Sequence, residues 1–171
     1  MSKSLGNVRT GRSFIEEYNP EILKFMMLNS HYRSIIDFSD EQIMRTIQSL
    51  ARFYSDLAFA EKLLQKPAPL APIPDAFEKA VDECQRGFAS AMDDDFNTAE
   101  ALARLFELVR LFNNLVRNQM KFSPEHRAMA ETFFHLLKDK GACLALFQEK
   151  PQVFLRTLDD FLFKRKYLQR Q

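Results

Sequence analysis

The sequence predicts an all-α protein: a helical bundle preceded by a flexible loop. Three observations carry that prediction. Apolar residues recur at spacings of three and four along each long segment, and no segment sustains the alternation of a strand. Helix-start signals stand directly before the periodic runs. Only four glycines accompany 17 phenylalanines, a balance suited to helices packed through aromatic rings.

Residues 1–12 (MSKSLGNVRTGR) lack helical periodicity, and their only charged side chains are Lys3, Arg9 and Arg12, so they read as a flexible basic loop. A short helix is expected over about residues 13–18. Asn19 then supplies a cap and Pro20 a preset first turn for a helix to about Asn29. Ser39 with Gln42 forms a capping-box pattern. Ile43, Ile47, Leu50, Phe53, Leu57 and Leu64 follow at helical spacing, which predicts a long helix ending near Gln65. Prolines 67, 69, 72 and 74 make residues 66–74 an extended linker. Asp75 with Glu78 starts a helix reaching about Met92. Asn97 with Glu100 starts another, whose stripe is Leu102, Leu105, Val109, Phe112 and Val116. Ser123-Pro124 opens the next, with Gly141 as its expected terminator, and Pro151 opens the last.

At 171 residues the chain is long enough to bury a core without disulfides or metals. With 46% hydrophobic and 27% charged residues it is an ordinary globular composition rather than a disordered one. A formal net charge of +1 excludes a globally basic nucleic-acid binder while leaving room for local basic patches. Cys84 and Cys143 are far apart and lack CxxC partners, so they read as reduced thiols packed in helices, and no zinc site is expected in this chain. No apolar run reaches membrane-spanning length and no signal-peptide pattern opens the chain, which makes a cytoplasmic protein the default expectation.

The chemistry-bearing candidate is Met1-Ser2-Lys3-Ser4, followed by Leu5-Gly6-Asn7. A lysine between two serines, close to a glycine, suits a loop that closes on phosphates. The ammonium offers three donors, the hydroxyls add more, and Gly6 opens backbone conformations denied to other residues. As a bare pattern it is more at home in an unstructured terminus.

MSKSLGN resembles the KMSKS loop of class I aminoacyl-tRNA synthetases, and two further stretches narrow the resemblance. His31-Tyr32-Arg33-Ser34 with the following Asp37-Phe38-Ser39, and Met92-Asp93-Asp94-Asp95-Phe96-Asn97-Thr98, are similar to signatures of the cysteinyl-tRNA synthetase family. Tyr18-Asn19-Pro20-Glu21, Phe25-Met26-Met27-Leu28 and Leu144-Ala145-Leu146-Phe147 also follow the family's pattern, so the resemblance covers nearly the whole chain in order. The departures are Val8-Arg9 and Arg12-Ser13 where the family usually has aromatic residues and then an Arg-Asp pair, Lys24 where arginine is usual, and Asn19 where aspartate is common.

The resemblance implies a C-terminal portion of such an enzyme. Residues 1–38 would be the KMSKS loop and a stem-contact-like junction, and residues 39–171 a DALR-like bundle on the anticodon-stem side of the tRNA. It implies that Lys3 is the catalytic ATP contact, with Met1, Ser2 and Ser4 completing the nucleotide loop. ATP with Mg, cysteine and tRNA(Cys) are the implied partners. The motif's first lysine, the HIGH-type motif, the dinucleotide-fold strands and the family's zinc would all lie upstream of Met1, so this chain alone is expected to be inactive.

Other residues receive plainer readings. The Asp93, Asp94, Asp95 run complements the positive end of the following helix better than it makes a metal site, because adjacent carboxylates diverge. His31-Tyr32-Arg33 is expected at a structural junction, with a tRNA phosphate as a second role for Arg33. His126 and His135 read as surface or packing residues. Lys164, Arg165 and Lys166 beside Tyr167 form a basic stretch that suits a helix end or a phosphate backbone. Two other functions fit the same residues: the related cysteine ligase of mycothiol synthesis, and a free-standing helical module that binds RNA or protein.

Overall fold

The computed structural model describes residues 11–168, with side chains described to Leu162. Seven α-helices span them: α1 Gly11–Glu17, α2 Pro20–Leu28, α3 Asp40–Leu64, α4 Asp75–Asp93, α5 Thr98–Phe112, α6 Pro124–Cys143 and α7 Pro151–Leu168. No strand occurs among the described residues, as the absent alternation predicted. None of the described helices is long and apolar enough to cross a membrane.

Four caps act where the sequence placed them, whereas Asp75 opens α4 after Pro74 without a side-chain cap bond. The Asn19 side chain accepts from the Glu21 N–H at 2.8 Å, Ser39 Oγ from the Gln42 N–H at 3.3 Å, and Asn97 from the Glu100 N–H at 3.2 Å. Ser123 Oγ accepts from the His126 N–H at 3.4 Å, while His126 Nδ1 accepts from the Ser123 N–H at 3.1 Å. His126 is therefore half of a reciprocal capping box, with imidazole doing the work usually done by Glu or Gln.

Helix α3 is the axis of the bundle. At 25 residues it is about 37 Å long, and α2, α6 and α7 pack along it while α4 and α5 pack on each other. Phe53 and Tyr54, adjacent on α3, together reach α5, α7 and the loop between α6 and α7. The Phe53 ring lies 4.4 Å from Phe106 of α5 and 4.7 Å from Phe147 of the α6–α7 loop. Tyr54 stacks on Phe154 of α7 at 3.8 Å. A second stack, Phe112 on Phe133 at 4.0 Å and nearly parallel, joins α5 to α6. At about 1.5–3 kcal/mol for each fully buried side chain, this network supplies the driving force that the exposed Arg45–Glu41 pair does not. Most of the described phenylalanines thus lie in or against the core, while Phe38, Phe96 and Phe122 are exposed. Phe106, Phe134 and Phe161 lie at its edge.

Two helix ends differ from expectation. Gly141 does not terminate α6, which continues to Cys143. The terminator is Ala145, at φ 53°, with Leu146 N–H donating to Gly141 O at 2.7 Å and Ala145 N–H to Ala142 O at 3.1 Å. That is a Schellman motif with alanine in the left-handed position. Gly141 serves close packing instead: a Cβ there would lie 2.7 Å from both Leu146 O and the Phe147 ring.

Helix α5 stops at Phe112 rather than running regularly to Val116, and the chain continues as a π turn over Asn113–Arg117. Asn113 and Arg117, four positions apart, both reach the fully buried Asp56 of α3. Asn113 Nδ2 donates at 3.0 Å, and Arg117 adds an ion pair and a 3.0 Å bond to Ser55. A buried carboxylate needs such partners, and this turn carries both of them.

Candidate functional site

The nucleotide-loop residues Met1, Ser2, Lys3 and Ser4 lie outside the described residues. Lys164, Arg165 and Lys166 fall within α7, beyond the last described side chain. The candidate site that the structure assembles is the junction between α2, the α2–α3 segment and the α4–α5 corner.

There the two signature stretches meet across 63 positions of sequence. Tyr32 OH donates to Asp95 Oδ1 at 2.7 Å, and the Arg33 guanidinium pairs with Asp95 Oδ2 at 3.0 Å. Arg33 Nε also donates to Tyr32 OH at 2.9 Å, which closes a three-membered cluster. Asp95 therefore holds Tyr32 and Arg33, a role that its place before a helix N-terminus did not announce. The neighbouring carboxylate raises the Tyr32 hydroxyl above its ordinary pKa.

His31 stacks on Tyr32 at 4.8 Å and accepts from the Arg33 N–H at 3.2 Å, so it shapes the turn. Asp37 does the same before α3. It accepts from the Ser39 N–H at 2.9 Å and the Ser39 hydroxyl at 2.7 Å, which hold its carboxyl below the usual range. Thr98 adds a tie from the other signature, its hydroxyl donating at 2.7 Å to Leu28 O, a carbonyl left unpaired at the end of α2.

The opposite end of α2 is gripped by the α6–α7 loop. Glu21, only 7% exposed, accepts from Tyr54 OH at 2.8 Å and from the Phe147 N–H at 2.6 Å. Burial raises the Glu21 carboxyl above its ordinary pKa, and these two hydrogen bonds and nearby Lys24 only partly offset that. Burial, reinforced by Glu21, pushes the Tyr54 phenol well up. Lys24 donates to Ala145 O at 2.7 Å. Lys138, its ammonium pKa lowered by burial, donates to Phe147 O and, at 3.1 Å, to Glu149 O. Lys24, where the family usually has arginine, is therefore in structural use.

Sequence reasoning placed Tyr32, Arg33 and the aspartate run near a junction but did not pair them. It missed Glu21, Thr98 and Lys138. Glu21 carried a signal, since it directly precedes Ile22 at the start of an apolar helix, where a carboxylate is buried only for a partner. Among the described residues no group of three His, Cys, Asp or Glu side chains is placed to hold a metal. Cys84 is buried, its thiol pushed up to about 11 mainly by desolvation, while Cys143 is exposed rather than packed.

Residues 1–48 match the tRNA synthetases class I (C) catalytic domain, and residues 87–148 match the DALR domain. Tyr32 and Arg33 thus lie in the first match, Asp95 and Thr98 in the second. A chain whose described residues form helices and no strand, with these two matches in this order, belongs to the class I aminoacyl-tRNA synthetases.

The curated relatives narrow the class. The chain is 43% identical over 99% of its length to a cysteine–tRNA ligase of Bdellovibrio bacteriovorus, covering 35% of that protein. It is 39% identical over 94% of its length to one of Oleidesulfovibrio alaskensis (33% of that protein), and 40% identical over 91% to one of Trichlorobacter lovleyi (32% of that protein). The chain belongs to the cysteine–tRNA ligase family, and it spans about a third of the length of these relatives.

Proposed function

We propose that this chain is the C-terminal portion of a cytoplasmic cysteine–tRNA ligase, supplying the ATP loop and the helical domain that docks tRNA(Cys). The observation that carries the proposal is the 43% identity to such a ligase along 99% of the chain, loop included. Neither alternative function is favoured by a comparable observation.

In the reaction, the cysteine carboxylate attacks the α-phosphate of ATP, giving cysteinyl-adenylate and pyrophosphate. The terminal ribose hydroxyl of tRNA(Cys) then attacks the adenylate carbonyl, releasing AMP. Negative charge builds on the phosphate oxygens in the first step. Lys3, with Ser2 and Ser4, is the group of this chain suited to hold that charge in the transition state. Mg bound to ATP would neutralise part of the same charge, and the zinc that resemblance implies would belong to the upstream catalytic part. Residues 1–38 act as loop and junction, and residues 39–171 as the tRNA-side bundle, with Lys164, Arg165 and Lys166 against the phosphate backbone.

Binding of the chain to a tRNA(Cys) transcript tests the docking role. Affinity should be weak and should fall steeply between about 50 and 200 mM salt. Alanine at Lys164, Arg165 and Lys166 together should make the log–log slope shallower by about two to three. Salt-independent binding would point to a protein partner and contradict the docking role.

A further inference from the structure

We propose that Arg33 is a positioning residue, which through the Tyr32–Arg33–Asp95 cluster fixes the catalytic-domain segment in register with the tRNA-docking bundle, and that it is not itself a phosphate contact. The inference rests on the ligase reading given above.

Three observations carry it. First, the Arg33 charge is already in use. Its guanidinium spans Asp95 Oδ2 at 3.0 Å and Tyr32 OH at 2.9 Å, with its carbon 5.3 Å from the centre of the Tyr32 ring. Asp95 in turn spends its second oxygen on Tyr32 at 2.7 Å. Arginine and aspartate cancel in charge, and a phosphate approaching Arg33 would meet the Asp95 carboxylate 3.0 Å away.

Second, the cluster bridges two separately matched units, residues 1–48 and residues 87–148. The Thr98 bond to Leu28 O at 2.7 Å runs parallel to it, so α2 and the α4–α5 corner are held by two ties of different chemistry. Two such ties fix an orientation where one would leave a pivot.

Third, the corner that presents Asp95 is strained. Asp95 and Phe96 both have φ 54°, a left-handed conformation that aspartate tolerates and phenylalanine rarely adopts. The Phe96 side chain is 68% exposed, so core packing does not repay that conformation. Arg33 and Asp95 are exposed at 69% and 47%, and ion pairs this open add little to stability. The left-handed pair closes the end of α4 instead, with Phe96 N–H donating to Met92 O at 3.2 Å and Asn97 N–H to Ala91 O at 2.9 Å, so the corner that aims Asp95 is fixed by the helix terminus itself.

The test uses a full-length ligase in which this chain follows the N-terminal part of the Bdellovibrio relative. Cysteine-dependent pyrophosphate exchange, the KM for tRNA(Cys) and the salt dependence of tRNA binding are measured for Arg33→Ala, Asp95→Ala and the charge-exchanged double variant Arg33→Asp/Asp95→Arg. Either single variant should raise the tRNA KM about two- to fivefold. The exchanged pair should return it to within about twofold of the parent, with exchange rates and the salt slope unchanged throughout.

A phosphate-contacting Arg33 gives the opposite pattern. Asp95→Ala would then lower the tRNA KM, Arg33→Ala would make the salt slope shallower by about one, and the exchanged pair would stay defective. That pattern, or a parent-like KM in both single variants, overturns the inference while intact exchange leaves the ligase reading standing. A folded parent without exchange overturns both.

Discussion

Lys3→Ala, made in a full-length ligase carrying this chain, is expected to slow cysteinyl-adenylate formation by about 10²- to 10³-fold. The KM for cysteine should change far less. The reason lies in when the charge appears. The α-phosphate oxygens gain negative charge as the carboxylate adds, so an ammonium aimed at them binds the transition state more tightly than the ground state. Removing it should lower kcat and kcat/KM together, the signature of an interaction made only as the reaction proceeds. Serine hydroxyls and backbone amides beside it are neutral donors and replace little of that stabilisation. Lys3→Arg keeps the charge but presents a planar fork, and should recover only part of the rate. Activation kinetics unchanged by Lys3→Ala would remove Lys3 from the mechanism.

Glu21→Ala is expected to destabilise the fold by about 2–4 kcal/mol, because it strands two buried donors, Tyr54 OH and the Phe147 N–H, that now meet one carboxylate. Glu21→Gln should cost less. Its amide oxygen can still accept from Phe147 while the Tyr54 hydroxyl turns to accept from the amide nitrogen.

The glutamine variant also isolates a pH effect. Burial raises the folded-state pKa of Glu21 above 4.5, so the folded state holds this proton more tightly than the unfolded state. The stabilising contribution of Glu21 is then fully present below its unfolded pKa and is lost as pH rises through the raised folded value. This is the reverse of a carboxylate whose pKa is depressed. Between about pH 4.5 and neutrality the wild-type chain should lose stability relative to Glu21→Gln. Denaturant midpoints at a series of pH values check the sign. A stability difference that is flat, or that grows in favour of wild type with rising pH, would show that burial does not dominate at Glu21.

Local physics made most of the fold legible. Asn19, Ser39, Asn97 and Ser123 announced four helices because a short side chain capping its own downstream N–H is a local event, readable from neighbouring residues. Gly141 misled because glycine has two uses, and here the close approach of Leu146 and Phe147 takes it while Ala145 makes the left-handed turn. The π turn was hidden for a different reason. Its Asn113 and Arg117 both meet Asp56, a contact between residues 57 and 61 positions apart that no local pattern announces.

The site divides along the same line. The stretches containing Arg33 and Asp95 stood out by resemblance, yet nothing local says that they pair. Their partnership exists only once α2 lies beside the α4–α5 corner. Glu21 was the one long-range contact with a local trace, a carboxylate at the edge of an apolar run.

The central claim, that this chain is the working C-terminal portion of a cysteine–tRNA ligase, is tested most directly by aminoacylation. Joined to the N-terminal part of the Bdellovibrio relative, the chain should yield an enzyme that charges tRNA(Cys) with cysteine and carries out cysteine-dependent pyrophosphate exchange, while residues 1–171 alone do neither. A folded joined protein that charges no tRNA, or exchange activity from residues 1–171 by themselves, would contradict the claim.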